Sequence, residues 1–227
     1  MKKMLTPVLC AATLAATAGS ARLGDNLWMW GHDTGHYDGP VNYARHDYKI
    51  PWSAPITMPD ACLDMGIPNC CVIRPGMPPP PDDYLVPYAK LDKISWLLWN
   101  STRKYCLEKA VTIKNIAAFD LDDFFQNETV TDERPDGTKV TVRKGVMTLK
   151  EIAATRQELS ERAGHPVQLR MVLYVHQLCP EILPAVEMMD KVLLWTSDGM
   201  DITIMRDNVF RFRSIAPDTP ILLGLYM

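Results

Sequence analysis

Aspartates at the end of one apolar run are the clearest chemical signal in the chain. Asp120 lies within the run Ile116–Leu121, and Asp122 and Asp123 follow it directly. Because side chains alternate along a strand, Asp120 and Asp122 share one face, and Ala117, Phe119 and Leu121 form the opposite, apolar face. Two carboxylates at a partly desolvated mouth repel each other and push one pKa upwards. This pattern predicts a general acid next to an ionised partner, with Asp120, Asp122 and Asp123 as candidates.

Simpler explanations of the same aspartates stay open. Aspartates after a strand also cap the next element, bind a structural cation or face solvent. Core packing explains the aromatic candidates at least as well as binding does. A single histidine such as His176 is more often structural than catalytic.

Other candidates lie at or after the ends of further apolar runs. Arg170, Val172, Tyr174 and His176 share a face of the run Val167–Val175, so we expect His176 to hydrogen-bond substrate or exchange a proton. Asp198, which follows the run Lys191–Trp195, is the remaining catalytic candidate. The candidate substrate-binding residues are His32, Asp33, Trp30, Tyr174, His176, Trp195 and Tyr226. No metal ligands are assigned and no cofactor is expected.

Seven apolar runs alternate with helical patterns, and they must position these residues. The runs lie at Leu27–Gly31, Ile67–Ile73, Ile94–Trp99, Ile116–Leu121, Val167–Val175, Lys191–Trp195 and Ile221–Tyr226. Near-continuous apolar strands separated by helices predict a parallel sheet covered on both faces. Two architectures fit this pattern, an open doubly wound sheet and a (β/α)8 TIM barrel.

Seven strands in regular alternation favour the TIM barrel. The doubly wound alternative expects a glycine-rich turn after its first strand, and residues 31–35 do not match G-x-G-x-x-G. A complete barrel takes about 250 residues and eight strands, so we expect this one to be incomplete or truncated at its C-terminus. Catalytic residues of such barrels follow the carboxyl ends of the strands.

One insertion interrupts the predicted barrel domain, which spans residues 22–227. Strand-forming residues flank Asp136-Gly137, so we expect a β-hairpin at about 127–144. Thr148 and Glu151 then form a capping box, which predicts a helix that ends near Gly164.

The first 21 residues match a secretory signal peptide. Lys2 and Lys3 precede an apolar stretch, and small residues end it. We therefore expect an exported protein, periplasmic or extracellular, with no membrane span. The five cysteines beyond it are Cys62, Cys70, Cys71, Cys106 and Cys179, and their spacing leaves any disulfide pairing open.

Charge and composition narrow the class of partner. The chain of 227 residues has a formal net charge of -3 and contains no block of lysine or arginine, so nucleic acid and anionic membrane are not expected partners. A neutral small molecule or a neutral polymer fits this charge better as a partner. We expect a carbohydrate substrate, because sugar rings stack on aromatic side chains such as those at the strand ends.

These features resemble the secreted TIM-barrel glycoside hydrolases. Residues 119–123 resemble the Asp-x-Asp-x-Glu strand of chitinase-like barrels, in which a terminal glutamate protonates the leaving group. Phe124 occupies the position of that glutamate, which departs from the family pattern and leaves Asp122 or Asp123 as the nearest acid. Many retaining barrels also carry a nucleophile after the seventh strand, where this sequence has no carboxylate.

The leading hypothesis is an exported glycoside hydrolase that uses an aspartate of the fourth strand as acid or base. The first alternative is a barrel that binds carbohydrate without cleaving it, consistent with the missing glutamate. The second is a metal-dependent hydrolase that uses Asp120, Asp122, His176 and Asp198, all ligand types that suit divalent cations.

Overall fold

Seven parallel strands form one sheet in the computed structural model, which describes residues 27–32, 58–73, 88–196 and 203–224. The strands are β1 (Met29–His32), β2 (Asn69–Ile73), β3 (Lys93–Leu97), β4 (Ile116–Leu121), β7 (Gln168–Tyr174), β8 (Lys191–Trp195) and β9 (Ile221–Gly224). A separate antiparallel pair consists of β5 (Phe125–Glu133) and β6 (Lys139–Gly145). Each parallel strand matches one of the apolar runs, so the prediction of a parallel α/β fold is confirmed.

The strands of the sheet lie side by side in the order in which the chain forms them. Their order is β1-β2-β3-β4-β7-β8-β9, and every neighbouring pair is parallel. A doubly wound sheet instead reverses its strand order at a switch point, where its ligand binds. The observed order runs in one direction and is that of a barrel.

The sheet curls strongly, as a contact between distant strands demonstrates. Trp30 of β1 and Trp195 of β8 pack edge to face, with ring centroids 5.6 Å apart. Five strand spacings separate β1 from β8 in the sheet order, and in a flat sheet they would be about 24 Å apart. The sheet therefore bends around a common interior and forms half of a barrel.

Each face of the sheet has its own cluster of buried residues. The outer face contributes to the main core, in which Phe119 and Met171 pack with helical residues such as Ile152 and Phe212. The inner face forms a smaller cluster that contains strand residues and their neighbours alone: Cys71, Val172, Leu193, Trp195, Trp28, Trp30, Tyr174 and Leu222. Both clusters follow from the alternation of side chains along the strands.

The described helices are fewer than those of a complete (β/α)8 barrel. They are α1 (Met58–Asp64), α2 (Arg103–Thr112), α3 (Leu149–Arg162), α4 (Leu183–Val186) and α5 (Thr203–Ile215). The start of α3 follows the predicted capping box. The Thr148 hydroxyl accepts a hydrogen bond from the Glu151 N–H, and the Glu151 carboxylate accepts one from the Thr148 N–H at 2.7 Å. Part of a barrel is thus established, rather than all eight βα units.

The insertion after β4 forms the hairpin that its turn signal predicts. Its strands pair in antiparallel fashion around Asp136-Gly137, and the Arg134 N–H donates to the Thr138 carbonyl at 2.8 Å. Gly137 has a φ of 88°, a backbone conformation that other residues adopt at a cost. The hairpin extends slightly beyond the predicted 127–144 at both ends.

Several sequence predictions fall on residues outside the described ranges. They include the signal peptide at 1–21 and the site candidates Asp33, Asp198 and Tyr226. Among the described helices, none has the length and apolar character needed to cross a bilayer.

The contact between Trp30 and Trp195 provides a test of the curl. Replacing each with leucine, singly and together, should give a coupling free energy of about 0.5–1.5 kcal/mol in a double-mutant cycle of urea unfolding. As a control, Trp96 of β3 and Tyr105 of α2 also pack edge to face, with centroids 5.8 Å apart, and should couple whether or not the sheet curls. Coupling in the control pair alone would contradict a curled sheet.

Candidate functional site

A buried ion pair lies on the inner face of the sheet. Asp120 of β4 and Arg170 of β7 are register partners on neighbouring strands. Arg170 donates from Nε to Asp120 Oδ1 at 2.7 Å and from Nη2 to Asp120 Oδ2 at 2.9 Å. The hydroxyl of Ser95 on β3 also donates to Asp120 Oδ2. Asp120 and Arg170 are 0% and 1% exposed, so the pair is fully removed from solvent.

Arg170 has further contacts with Cys71 of β2 and with Trp28, which directly precedes β1. Its Nη2 lies 3.4 Å from Cys71 Sγ, and its guanidinium lies 4.4 Å from the centre of the Trp28 ring. Burial alone would lower the pKa of Arg170, but the charge of Asp120 raises it above its ordinary value. The guanidinium thus keeps its charge inside the sheet. Its contacts extend from β7 to β4, to β2 and to Trp28, which directly precedes β1.

The expected position of Asp120 at the open mouth is therefore corrected. Both of its oxygens accept hydrogen bonds from buried donors, and no part of the residue reaches solvent. A carboxylate in a bidentate pair with arginine has both of its oxygens engaged in strong hydrogen bonds. The catalytic role predicted for Asp120 finds no support in this geometry, which gives the residue a structural partner instead.

Asp122 lies one step beyond the end of β4 and is only partly buried. The hydroxyl of Tyr174, at the end of β7, donates to Asp122 Oδ1 at 3.3 Å, and the Asp123 N–H donates to the same oxygen at 2.9 Å. Burial raises the pKa of Asp122, and the charge of Asp123 raises it further, although the two hydrogen bonds lower it. Asp122 thus keeps its proton to a higher pH than an ordinary aspartate does.

The backbone makes a turn immediately after Asp122. Asp123 is exposed and has a φ of 45°, in the left-handed region. Aspartate tolerates this conformation better than most residues with a Cβ, because its short polar side chain bonds locally. The turn separates the exposed carboxylate of Asp123 from the buried side chain that follows.

Phe124 belongs to the core beneath the hairpin. It is 1% exposed and packs edge to face against Phe125, with ring centroids 4.9 Å apart. Gly145 of β6 lies so close that an added Cβ would be 2.3 Å from the Phe124 ring. At this position, where the chitinase-like motif has its glutamate, the chain thus buries an apolar side chain.

Aromatic side chains are linked to Asp122 through Tyr174, which bonds to Asp122 and is the register partner of Trp195. Trp30 is partly exposed and contacts Trp195, which is 7% exposed. An added Cβ at Gly224 of β9 would lie 2.3 Å from the Trp195 ring, so a glycine is needed where the indole crosses β9. These residues form one wall of what we call the rim, defined as Trp30, Asp122, Tyr174, His176 and Trp195.

His176 also belongs to the rim, but strand alternation does not place it there. β7 ends at Tyr174, and residues 175–177 form a 3-10 turn, so the expected alternation does not extend to His176. Its exposed ring instead stacks on Tyr174, with centroids 5.8 Å apart and an interplanar angle of 16°. The prediction that the two residues share a strand face is wrong, although they remain neighbours.

The structure thus brings together five of the predicted site residues and leaves others unplaced. His32 is the last residue of β1, and three further candidates lie outside the described ranges. Among described residues, no group of three or more His, Cys, Asp or Glu side chains is arranged to hold a metal ion. The metal-dependent hypothesis gains no support from them.

Sequence reasoning missed two partners of Asp120. Arg170 interrupts the apolar residues Leu169 and Met171, and a charge within a buried strand requires a partner. That signal could have identified the ion pair. Ser95 carries no such signal, because a serine within an apolar strand has many possible partners.

A cavity lies at the opposite end of β7 from the rim. It encloses about 500 Å3 near the start of β7, between Arg156, His165 and Asp190. Arg156 donates to Asp190 at 2.7 Å, and Asp190 accepts from the Leu169 N–H at 2.8 Å. The ring nitrogens of His165 lie 2.9 Å from two backbone carbonyls. These polar groups hold the fold together, so the rim remains the better candidate site.

Comparison with protein-family models, curated proteins and solved structures finds no match for the chain. Function is therefore inferred from the rim and the residues that support it.

The ion pair predicts a large asymmetry between single and double substitutions. Asp120→Asn should lower the free energy of unfolding by about 3–5 kcal/mol, because it leaves the Arg170 charge buried without its counter-charge. The double variant Asp120→Leu with Arg170→Met should lose less, since no buried charge remains.

Asp60 provides the matched control for urea unfolding. Its exposed ion pair with Lys90 has an N–O distance of 2.8 Å, and Asp60→Asn should cost less than about 1 kcal/mol. Equal losses in Asp120→Asn and Asp60→Asn would contradict a buried, desolvated pair.

Proposed function

We propose that the rim binds a carbohydrate and that Asp122 donates a proton to the glycosidic oxygen during hydrolysis. The observation that carries this proposal is the raised pKa of a partly buried carboxyl among aromatic side chains. A general acid must hold its proton near the working pH, and burial together with a like charge shifts the pKa of a carboxyl in that direction. Asp122 is the rim residue with this property.

Substrate recognition is proposed to use the aromatic surfaces of the rim. Trp30 and Tyr174 are partly exposed, and His176 is exposed and stacks on Tyr174. The apolar faces of sugar rings pack on flat aromatic side chains, while their hydroxyl groups need donors and acceptors nearby. Asp122, the Tyr174 hydroxyl and the His176 ring could supply these.

Hydrolysis would require a second carboxylate. Retaining enzymes place it about 5–5.5 Å from the acid and inverting enzymes about 6.5–9.5 Å away. Asp123 is exposed beyond a left-handed turn, and Asp120 is committed to Arg170. Asp198, in the connection between β8 and α5, stays a prediction for this role.

A second candidate function is carbohydrate binding without cleavage. Two observations favour it, namely the ion pair that occupies Asp120 and the buried Phe124 at the position of the family's glutamate. Both remove acidic groups that a chitinase-like mechanism would use. The same rim would then bind a glycan through its aromatic side chains alone.

The complete fold and the location of the protein are also matters of proposal. We propose that the seven-stranded sheet is part of a (β/α)8 barrel, supported by its sequential strand order and its curl. We also propose that the protein is exported, as the leader at 1–21 predicts, because glycan polymers are substrates outside the cell.

Replacement of the proposed acid tests the catalytic role directly. On a panel of soluble and polymeric glycans, Asp122→Asn should reduce kcat by about 100-fold or more, because the amide cannot transfer a proton. Glycan affinity, measured by calorimetry, should change little.

Asp123→Asn is the comparison variant: it keeps the acid and should keep turnover at low pH, but its alkaline limb should move to lower pH, because loss of the Asp123 charge lowers the pKa of Asp122. Undiminished turnover in Asp122→Asn would contradict the assignment. Binding by the wild type without any turnover would favour the second candidate.

The pH dependence of hydrolysis provides a second test. A general acid works in its protonated form, so kcat should fall as pH rises through the raised pKa of Asp122. The hydrogen bond from Tyr174 stabilises the carboxylate form of Asp122 and so lowers its pKa. Tyr174→Phe removes this bond and raises the pKa, so the alkaline limb should move to higher pH. An alkaline limb that stays in place or moves to lower pH in Tyr174→Phe would contradict the role of Asp122.

A further inference from the structure

Three sulfur atoms meet on the outer face of the sheet, away from the rim. Met29 of β1 and Cys70 of β2 are register partners, and Cys62 of α1 lies against both. The Cys62 thiol donates to Met29 Sδ at 3.6 Å, and Cys62 and Cys70, both free thiols in the structure, are hydrogen-bond partners. Both cysteines are 0% exposed, and Met29 is 3% exposed.

Strand alternation selects which of two adjacent cysteines faces Cys62. Cys70 belongs to the outer core with Met29 and Cys62, whereas Cys71 belongs to the inner cluster and contacts Arg170. Burial raises the pKa of Cys71 to about 12, so it stays an inert thiol on the other face. Cys62 and Cys70 are therefore the pair that the fold brings together.

The local chain path holds these two cysteines close. α1 ends at Asp64, and the Ile67 N–H donates to the Cys62 carbonyl at 2.8 Å. Gly66 has a φ of 70°, which allows the tight turn from the helix back towards β2. A short loop thus connects Cys62 to the strand that carries Cys70, so little conformational entropy is lost when the two cysteines are joined.

We propose that Cys62 and Cys70 are joined by a disulfide that forms while the chain folds in an oxidising medium. The oxidant is another disulfide, either of a small thiol such as glutathione or of a thiol-disulfide oxidoreductase. One cysteine thiolate attacks a sulfur of the oxidant and releases its first thiol, and the second cysteine then displaces the other. The two cysteines lose two protons and two electrons, and the oxidant becomes two thiols.

The bond forms before α1 packs on the sheet. Attack requires a thiolate, and burial raises the pKa of Cys70 well above its usual range once the cluster closes. Both thiols are also out of reach of any oxidant in the folded protein. Oxidation therefore accompanies folding, and the reduced folded protein resists it.

A disulfide suits this cluster better than a soft metal ion does. Two thiolates and a thioether are ligands that monovalent copper accepts, but such a complex carries a net negative charge. The cluster belongs to the apolar core, where an unpaired charge is costly. A disulfide is neutral and occupies the same space.

Refolding in two media tests the proposal and does not depend on the carbohydrate function. The full chain is unfolded, then refolded either with reduced and oxidised glutathione or with a strong reductant, and it is alkylated in denaturant. Peptide mapping of the oxidised sample should find Cys62 and Cys70 linked and unalkylated, with Cys71 and Cys106 alkylated. The thermal midpoint of the oxidised protein should be about 5–10 °C higher than that of the reduced protein.

Matched variants connect the shift to this bond. Cys62→Ala should abolish the difference between the two media, and Cys106→Ala, which removes an equally buried thiol from α2, should preserve it. Alkylation of both Cys62 and Cys70 in the oxidised wild type would overturn the proposal. So would a disulfide that links either of them to a different cysteine. Mapping of the wild type decides the matter even if a variant fails to fold.

Discussion

The rest of the structure depends on one buried ion pair. Arg170 lies in the middle of an apolar strand, and its charge is tolerable there only with a close counter-charge and full hydrogen bonding. Asp120 meets that need from the neighbouring strand, with a further hydrogen bond from Ser95. Because the guanidinium also contacts Cys71 and Trp28, side chains from four adjacent strands and from the residue just before β1 meet around a single charge. The curl of the sheet makes these contacts possible.

The ion pair also determines where chemistry can occur. The pair is fully buried on the inner face at the level of Asp120, so its groups are out of reach of a ligand, whereas the partly exposed groups lie at the strand ends. Asp122 lies there, two residues further along the same chain, with a different environment. Partial burial and the charge of Asp123 favour its protonated form, and Tyr174 limits the effect. Two aspartates that are two residues apart thus take different roles: Asp120 is structural, and Asp122 is proposed as an acid.

Local sequence patterns predicted the parts of the fold that local interactions determine. Continuous apolar runs located the seven strands, Asp136-Gly137 located the hairpin turn, and Thr148 with Glu151 located the start of α3. The position of Asp120 was missed because its partner is 50 residues away and depends on the register between β4 and β7. His176 was placed on a strand face because alternation contains no signal for the turn that ends β7.

A direct measurement of the Asp122 proton affinity tests the central claim most sharply. Carbon-13 labelling of the aspartate carboxyl groups in the full chain, with Asp122→Asn to assign the signal, allows its titration to be followed by NMR. The Asp122 signal should titrate above the pKa of an ordinary exposed aspartate, about 3.9, and move to still higher pH in Tyr174→Phe. Titration at or below the ordinary value, unchanged in Tyr174→Phe, would contradict the proposal that this rim carries a general acid.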